Sequence, residues 1–141
     1  METQPFQRIL YGLSGSFRPG KVWETAKPLM DRLWEVIRKE QLPTEGINHW
    51  LYSGGGQIFV GVEMRPGSND PTDLEKRTVR MEKSVSWKHH GSFSDITKGH
   101  QILQDEIRRS GHRQGELSLE IYGHVQDDDP LSEMQIIVEI G

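Results

Sequence analysis

The sequence contains no cysteine. Disulfides, thiolate nucleophiles and cysteine-ligated zinc are therefore excluded, and a reducing compartment is permitted. Long apolar runs are missing as well, and a membrane helix needs roughly 20 consecutive apolar residues. No stretch concentrates Lys and Arg, and the formal net charge is −4. The electrostatic footprint of a nucleic-acid binder is thus absent. Met1 to Leu10 lacks the basic start and apolar core of a signal peptide, so a cytoplasmic location is expected. With 141 residues, one domain over 1–141 is expected. That length has no room for a separate DNA-binding module of about 50 residues.

What is present is a change of hydrophobic period along the chain. Gln7 to Ser14 reads as a strand with imperfect alternation, and Gly15-Ser16-Phe17-Arg18-Pro19-Gly20 breaks it. From Lys21 to about Glu40 the period turns helical, with Val22, Ala26, Leu29, Leu33 and Ile37 as the core stripe and Trp23, Met30 and Trp34 beside it. A kink is expected at Pro28, which has no amide hydrogen. Ile47 to Tyr52 and Gln57 to Met64 read as strands joined at Ser53-Gly54-Gly55-Gly56, and Arg65 to Arg77 as an exposed connection.

The pattern then begins again. Met81, Val85, Trp87 and His89 share one face of a strand, which Gly91-Ser92-Phe93 ends. Ser94-Asp95 opens a helix with the stripe Ile96, Gly99/His100, Leu103 and Ile107, and Gly111 stops it. Glu116 to Val125 is a strand, Asp127-Asp128-Asp129-Pro130 a loop, and Glu133 to Ile140 the last strand. Gly15-Ser16-Phe17 returns as Gly91-Ser92-Phe93, Gln57-Ile58-Phe59-Val60 as Gln135-Ile136-Ile137-Val138, and Leu51-Tyr52 as Ile121-Tyr122. Three matches in the same order predict an internal duplication. The expected fold is α+β: duplicated βαββ halves with pseudo-two-fold symmetry (about 7–64 and 79–141, linker 65–78). The halves share an antiparallel sheet with helices on one side and a ligand cleft between them.

Alternation also suggests what faces that cleft. Leu117, Leu119, Ile121 and Val125 point one way and suit the helix-covered core. Ser118, Glu120, Tyr122 and His124 point the other way, as do Asn48, Trp50 and Tyr52 in the matching strand. Tyr11 matches Trp87 by the same offset argument. The expected cavity wall is Tyr11, Trp50, Tyr52, Trp87 and Tyr122 around one carboxylate, Glu120. Aromatic faces attract cations by roughly 0.5–2 kcal/mol each, and a carboxylate among them adds charge complementarity and a group able to carry a proton.

Metal and cofactor signals are weak, and neither is expected. His89 and His90 are adjacent and face opposite sides of a strand. His49, His100, His112 and His124 form no ligand spacing. Asp127-Asp128-Asp129 lacks the later Glu of a calcium loop. Gly54-Gly55-Gly56 lacks the Lys-Ser/Thr of a phosphate loop, and no serine stands in a nucleophile elbow.

The strand ending His89-His90-Gly91-Ser92-Phe93, the amphipathic helix after it, Leu119-Glu120-Ile121-Tyr122 and the final strand Gln135 to Ile140 resemble the GyrI-like small-molecule-binding domain. That family also supplies the effector-binding domain of bacterial transcription activators. The resemblance covers essentially the whole chain, more clearly from Val79 onward. It implies the duplicated βαββ fold with a groove between the halves. It also implies that the glutamate at position 120 sits in an aromatic pocket and meets cationic, lipophilic compounds. Phe93 departs from the family, which commonly has tyrosine there, and the chain is too short for a DNA-binding domain as well.

The expected function is a stand-alone binding domain for hydrophobic, cationic or aromatic small molecules, with neither nucleic acid nor membrane as partner. One alternative is hydrolysis of strained, cyclopropane-bearing electrophiles. Glu120 would then be the general acid/base that activates water, and Tyr122 or Tyr52 would orient the leaving oxygen. The other is a gyrase-inhibitor-like protein-interaction role.

Overall fold

The computed structural model describes residues 2–67, 71, 73–123 and 133–141, and among them six runs of alternating burial and two amphipathic runs form the elements. The elements are β1 (Gln4–Ser16), α1 (Val22–Glu40), β2 (Asn48–Tyr52), β3 (Gln57–Val62), β4 (Glu75–His90), α2 (Ile96–Arg109), β5 (Gln114–Tyr122) and β6 (Glu133–Ile140). A short 3-10 turn, Phe93–Asp95, leads into α2. The order strand, helix, strand, strand therefore occurs twice. No helix among the described residues is long and apolar enough to cross a membrane.

All strand pairs are antiparallel, and the sheet does not stop at an edge. It closes as a barrel in the order β1-β3-β2-β5-β6-β4, with β4 returning to β1. Closure removes the exposed edges of an open sheet. It also creates two kinds of buried face. Leu10, Leu51, Phe59, Val79, Met81, Leu119 and Ile137 form one apolar cluster, which fills the barrel. On the outside, α1 buries Ala26, Leu29, Leu33 and Ile37 against Tyr11, Ile58, Val60 and Val62. There too, α2 buries Leu103 and Ile107 against Val85, Ile136, Val138 and Ile140.

This corrects the expected placement of the β5 faces. Leu119 lies in the barrel interior with Leu117 and Ile121 packed beside it, rather than under a helix. The opposite face, carrying Glu120, is the one the helices flank. Alternation separates the two faces of a strand, but it does not tell which is covered by a helix and which by the curl of the sheet.

Four local differences have physical causes. β4 begins at Glu75, inside the stretch read as a connection, because its polar residues alternate with Val79 and Met81 on a barrel strand. A register shift between the pairs Gln4↔Ser84 and Phe6↔Met81 inserts an extra residue in β4. Such a bulge reverses the faces, so Met81 lies inside while Val85 packs under α2. α1 runs as one helix through Pro28. Pro28 is exposed, so the carbonyl of Glu24, deprived of its usual amide partner, lies where water can reach it. Asp95 occupies the N-cap of α2 without a side-chain cap bond, because its carboxylate is bonded to His89 Nε2 at 2.9 Å. The expected loop at Asp127–Pro130, with His124 and Val125, falls outside the described residues.

Candidate functional site

The site grows from the pairing of β2 with β5. The register sets Asn48 opposite Tyr122, Trp50 opposite Glu120, and Tyr52 opposite Ser118. These side chains point out of the barrel into the space between α1 and the start of α2. Trp50 is 7% and Glu120 6% exposed.

A buried carboxylate is costly unless donors replace its water. Glu120 has three. Its Oε1 accepts the hydroxyls of Tyr52 at 2.9 Å and Tyr122 at 2.7 Å. Its Oε2 is bonded to His100 Nε2 at 2.6 Å. The donors come from β2, β5 and α2, so the carboxylate ties both halves of the chain together. Burial and then the neighbouring Glu120 charge push both tyrosine pKa values well above 10. Both hydroxyls thus keep their protons, and their donor role, across the physiological range.

Around this polar knot stands an aromatic wall. Trp50 packs between Trp23 (ring centroids 6.0 Å apart, planes tilted 34°) and Tyr122 (5.2 Å, 61°). Phe17 meets the edge of Tyr52 at 5.9 Å. Trp34 Nε1 donates to Asn48 Oδ1 at 2.8 Å and so anchors β2 to α1. Trp23, Met30, Asn48, Trp50, Ser94, Tyr122 and Gly123 line a cavity of about 530 Å³. That volume suits a drug-sized ligand. Tyr122 joins cavity and knot, since its ring lines the one and its hydroxyl bonds Glu120 in the other.

Of the residues expected at the cleft, Trp50 and Tyr122 line this cavity, while Tyr52 and Glu120 lie in the hydrogen-bonded layer beside it. Tyr11 and Trp87 are not brought there. β3 separates β1 from β2, and β6 separates β4 from β5, so the backbone carrying each ring runs two strands away, about 9–10 Å. Tyr11 does not line the cavity, but it is buried under α1 in the same apolar cluster as Trp50. Trp87 stacks on His89 at 4.9 Å and lies under α2, where a Cβ on Gly99 would run into its ring. His100, Trp23 and Met30 were not expected in the site. His100 shares the core stripe of α2, and that shared face was the available signal. Among the described residues no three His, Asp or Glu side chains gather as a metal site would require.

No family model and no curated protein matches the chain. Solved structures do. SAV2435 bound to tetraphenylphosphonium is 12% identical, with 100% of this chain and 94% of that one covered and a TM-score of 0.68. The EcmrR C-terminal domain is 11% identical, over 99% and 96%, with a TM-score of 0.75. A hydrolase from Listeria innocua is 11% identical, over 99% and 92%, with a TM-score of 0.54. The chain thus shares the fold of these three structures.

Proposed function

We propose that this chain binds lipophilic, cationic or aromatic small molecules in the cavity over the β2–β5 seam. The observation that carries the reading is the double role of Tyr122, a cavity wall whose hydroxyl is bonded to the buried Glu120. Accepting that hydrogen bond, the carboxylate makes the ring face more electron-rich. A cation over Tyr122 or Trp50 then gains from the ring, by roughly 0.5–2 kcal/mol each, and from the charge behind it. Tetraphenylphosphonium, the ligand bound to SAV2435, has both properties. It should quench tryptophan fluorescence on titration, and Trp50→Ala should weaken its binding. A panel of such cations that all fail to bind would sink the proposal.

The same reading takes the two strand-helix-strand-strand runs as duplicated halves, 7–64 and 79–141, related by a near two-fold rotation. An offset of 70 residues makes Glu120 the counterpart of Trp50, and Glu120 is also its cross-strand partner, as an axis through that pair requires. Halves that fail to superpose would count against it.

A hydrolytic reading has one observation in its favour. An imidazole bonded to a buried carboxylate is a pairing that acid–base catalysis uses. Glu120 would act through Tyr122, the member of the knot that lines the cavity. Turnover of a strained electrophile, lost in Glu120→Gln, would favour this reading over simple binding.

A further inference from the structure

Trp23 is a large apolar side chain left 56% exposed. It lies on the first turn of α1, outside the buried stripe Ala26, Leu29, Leu33 and Ile37. The backbone there is tied down, with Thr25 Oγ1 donating to the Ser16 carbonyl at 2.9 Å and the Glu24 amide to the Lys21 carbonyl at 3.2 Å. The turn is fixed, while the ring at its tip has solvent on one side and the Trp50 ring, 6.0 Å away and tilted by 34°, on the other. Two rings so inclined form a wedge. A third aromatic ring in contact with both needs roughly 7–8 Å between them. Trp23 can supply the missing 1–2 Å by a side-chain movement that breaks no core packing.

We propose that Trp23 is the residue that makes this cavity prefer aromatic over aliphatic cations, by closing on one ring of the ligand against Trp50. The inference rests on the binding reading above and deepens it. Glu120 acts on charge and serves both kinds of cation alike. The wedge acts on ring faces, where offset or edge-on aromatic pairs gain beyond the area they bury. Charge and shape selection therefore reside in different residues, Glu120 beneath Tyr122 and Trp23 at the rim.

The test compares tetraphenylphosphonium with tetrabutylphosphonium by calorimetric titration of the full chain and its variants. Trp23→Leu keeps an apolar side chain at an exposed position. It should weaken tetraphenylphosphonium roughly 3- to 10-fold, the range expected for a lost aromatic pair, and change tetrabutylphosphonium less than about 2-fold. Trp23→Phe should retain most of the aromatic preference, and Glu120→Gln should weaken both cations by the same factor. Equal loss for both cations in Trp23→Leu, or no loss for either, overturns this inference alone. A wild-type chain that binds neither cation overturns the binding reading and this inference with it.

Discussion

The barrel closes through two seams, β2 with β5 and β1 with β4, and the two differ in chemistry more than in size. The cavity over β2–β5 is about 530 Å³ and is walled by Trp23, Met30, Trp50 and Tyr122. The cavity beside β1–β4 is about 570 Å³, and its wall mixes Phe6, Val85 and Ile137 with Gln4, Gln7, Arg8, Ser84 and Gln135. Arg8 there is already paired with Glu63 at 3.2 Å, and Ser84 donates to the Gln4 carbonyl at 2.7 Å. Room alone does not make a recognition site. What distinguishes the first seam is the buried Glu120 carboxylate, bonded to Tyr52, Tyr122 and His100, behind an aromatic wall.

The largest expected contrast is in stability and affinity together. Trp50→Ala removes a buried ring that two others pack on, and should cost roughly 3–5 kcal/mol in denaturant unfolding along with most of the cation affinity. Gln7→Ala at the other seam, on an exposed side chain, should stay within about 0.5 kcal/mol and leave affinity unchanged. Similar costs at the two seams would break the comparison. A smaller effect is expected from Glu120→Gln, which keeps the shape of the knot. Tetraphenylphosphonium affinity should fall about tenfold, while an uncharged compound with three of its four phenyl rings, triphenylphosphine oxide, should lose far less.

Two pH effects sharpen the picture further. Tyr52 and Tyr122 have pKa values raised above the ordinary 10 by burial and by Glu120. The stability they contribute is present below pH 10 and is lost as pH rises above it. Ultraviolet titration should show both hydroxyls resisting ionisation until the chain unfolds, and Tyr122→Phe should remove one of them. The smallest effect belongs to His49, 3% exposed, with Nδ1 donating to the Ile47 carbonyl at 3.0 Å. Burial lowers its pKa below 6.5, outweighing the opposing pull of Glu63. As pH falls below 6.5 the unfolded chain takes up a proton that the folded chain resists, so stability is lost on that side. Chemical denaturation at pH 5 and 7.5 should show this slope in the wild type and a shallower one in His49→Gln.

Period changes in the sequence suffice to locate both helices and the last strand, Glu133–Ile140, because local hydrophobic spacing decides them. Closure of the barrel is not legible there, since it depends on β4 meeting β1 across the whole first half. The β4 bulge is hidden for the same reason. One extra residue between Met81 and Ser84 sends Val85 to the other face, and only the pairing with β1 reveals it. At the site, Trp50, Tyr52, Glu120 and Tyr122 follow from alternation along two strands. Tyr11 and Trp87 share that alternation but lie two strands away, a distance fixed by strand order. His100 reaches Glu120 from another element, and no spacing along the chain encodes that meeting.

The most direct measurement is the structure of the chain with tetraphenylphosphonium. The account predicts the phosphonium in the β2–β5 cavity, one phenyl ring between Trp23 and Trp50 and another against Tyr122, with the bonds of Tyr52, Tyr122 and His100 to Glu120 intact. A cation lodged beside β1–β4, or one that enters the β2–β5 side only by breaking those three bonds, would contradict it.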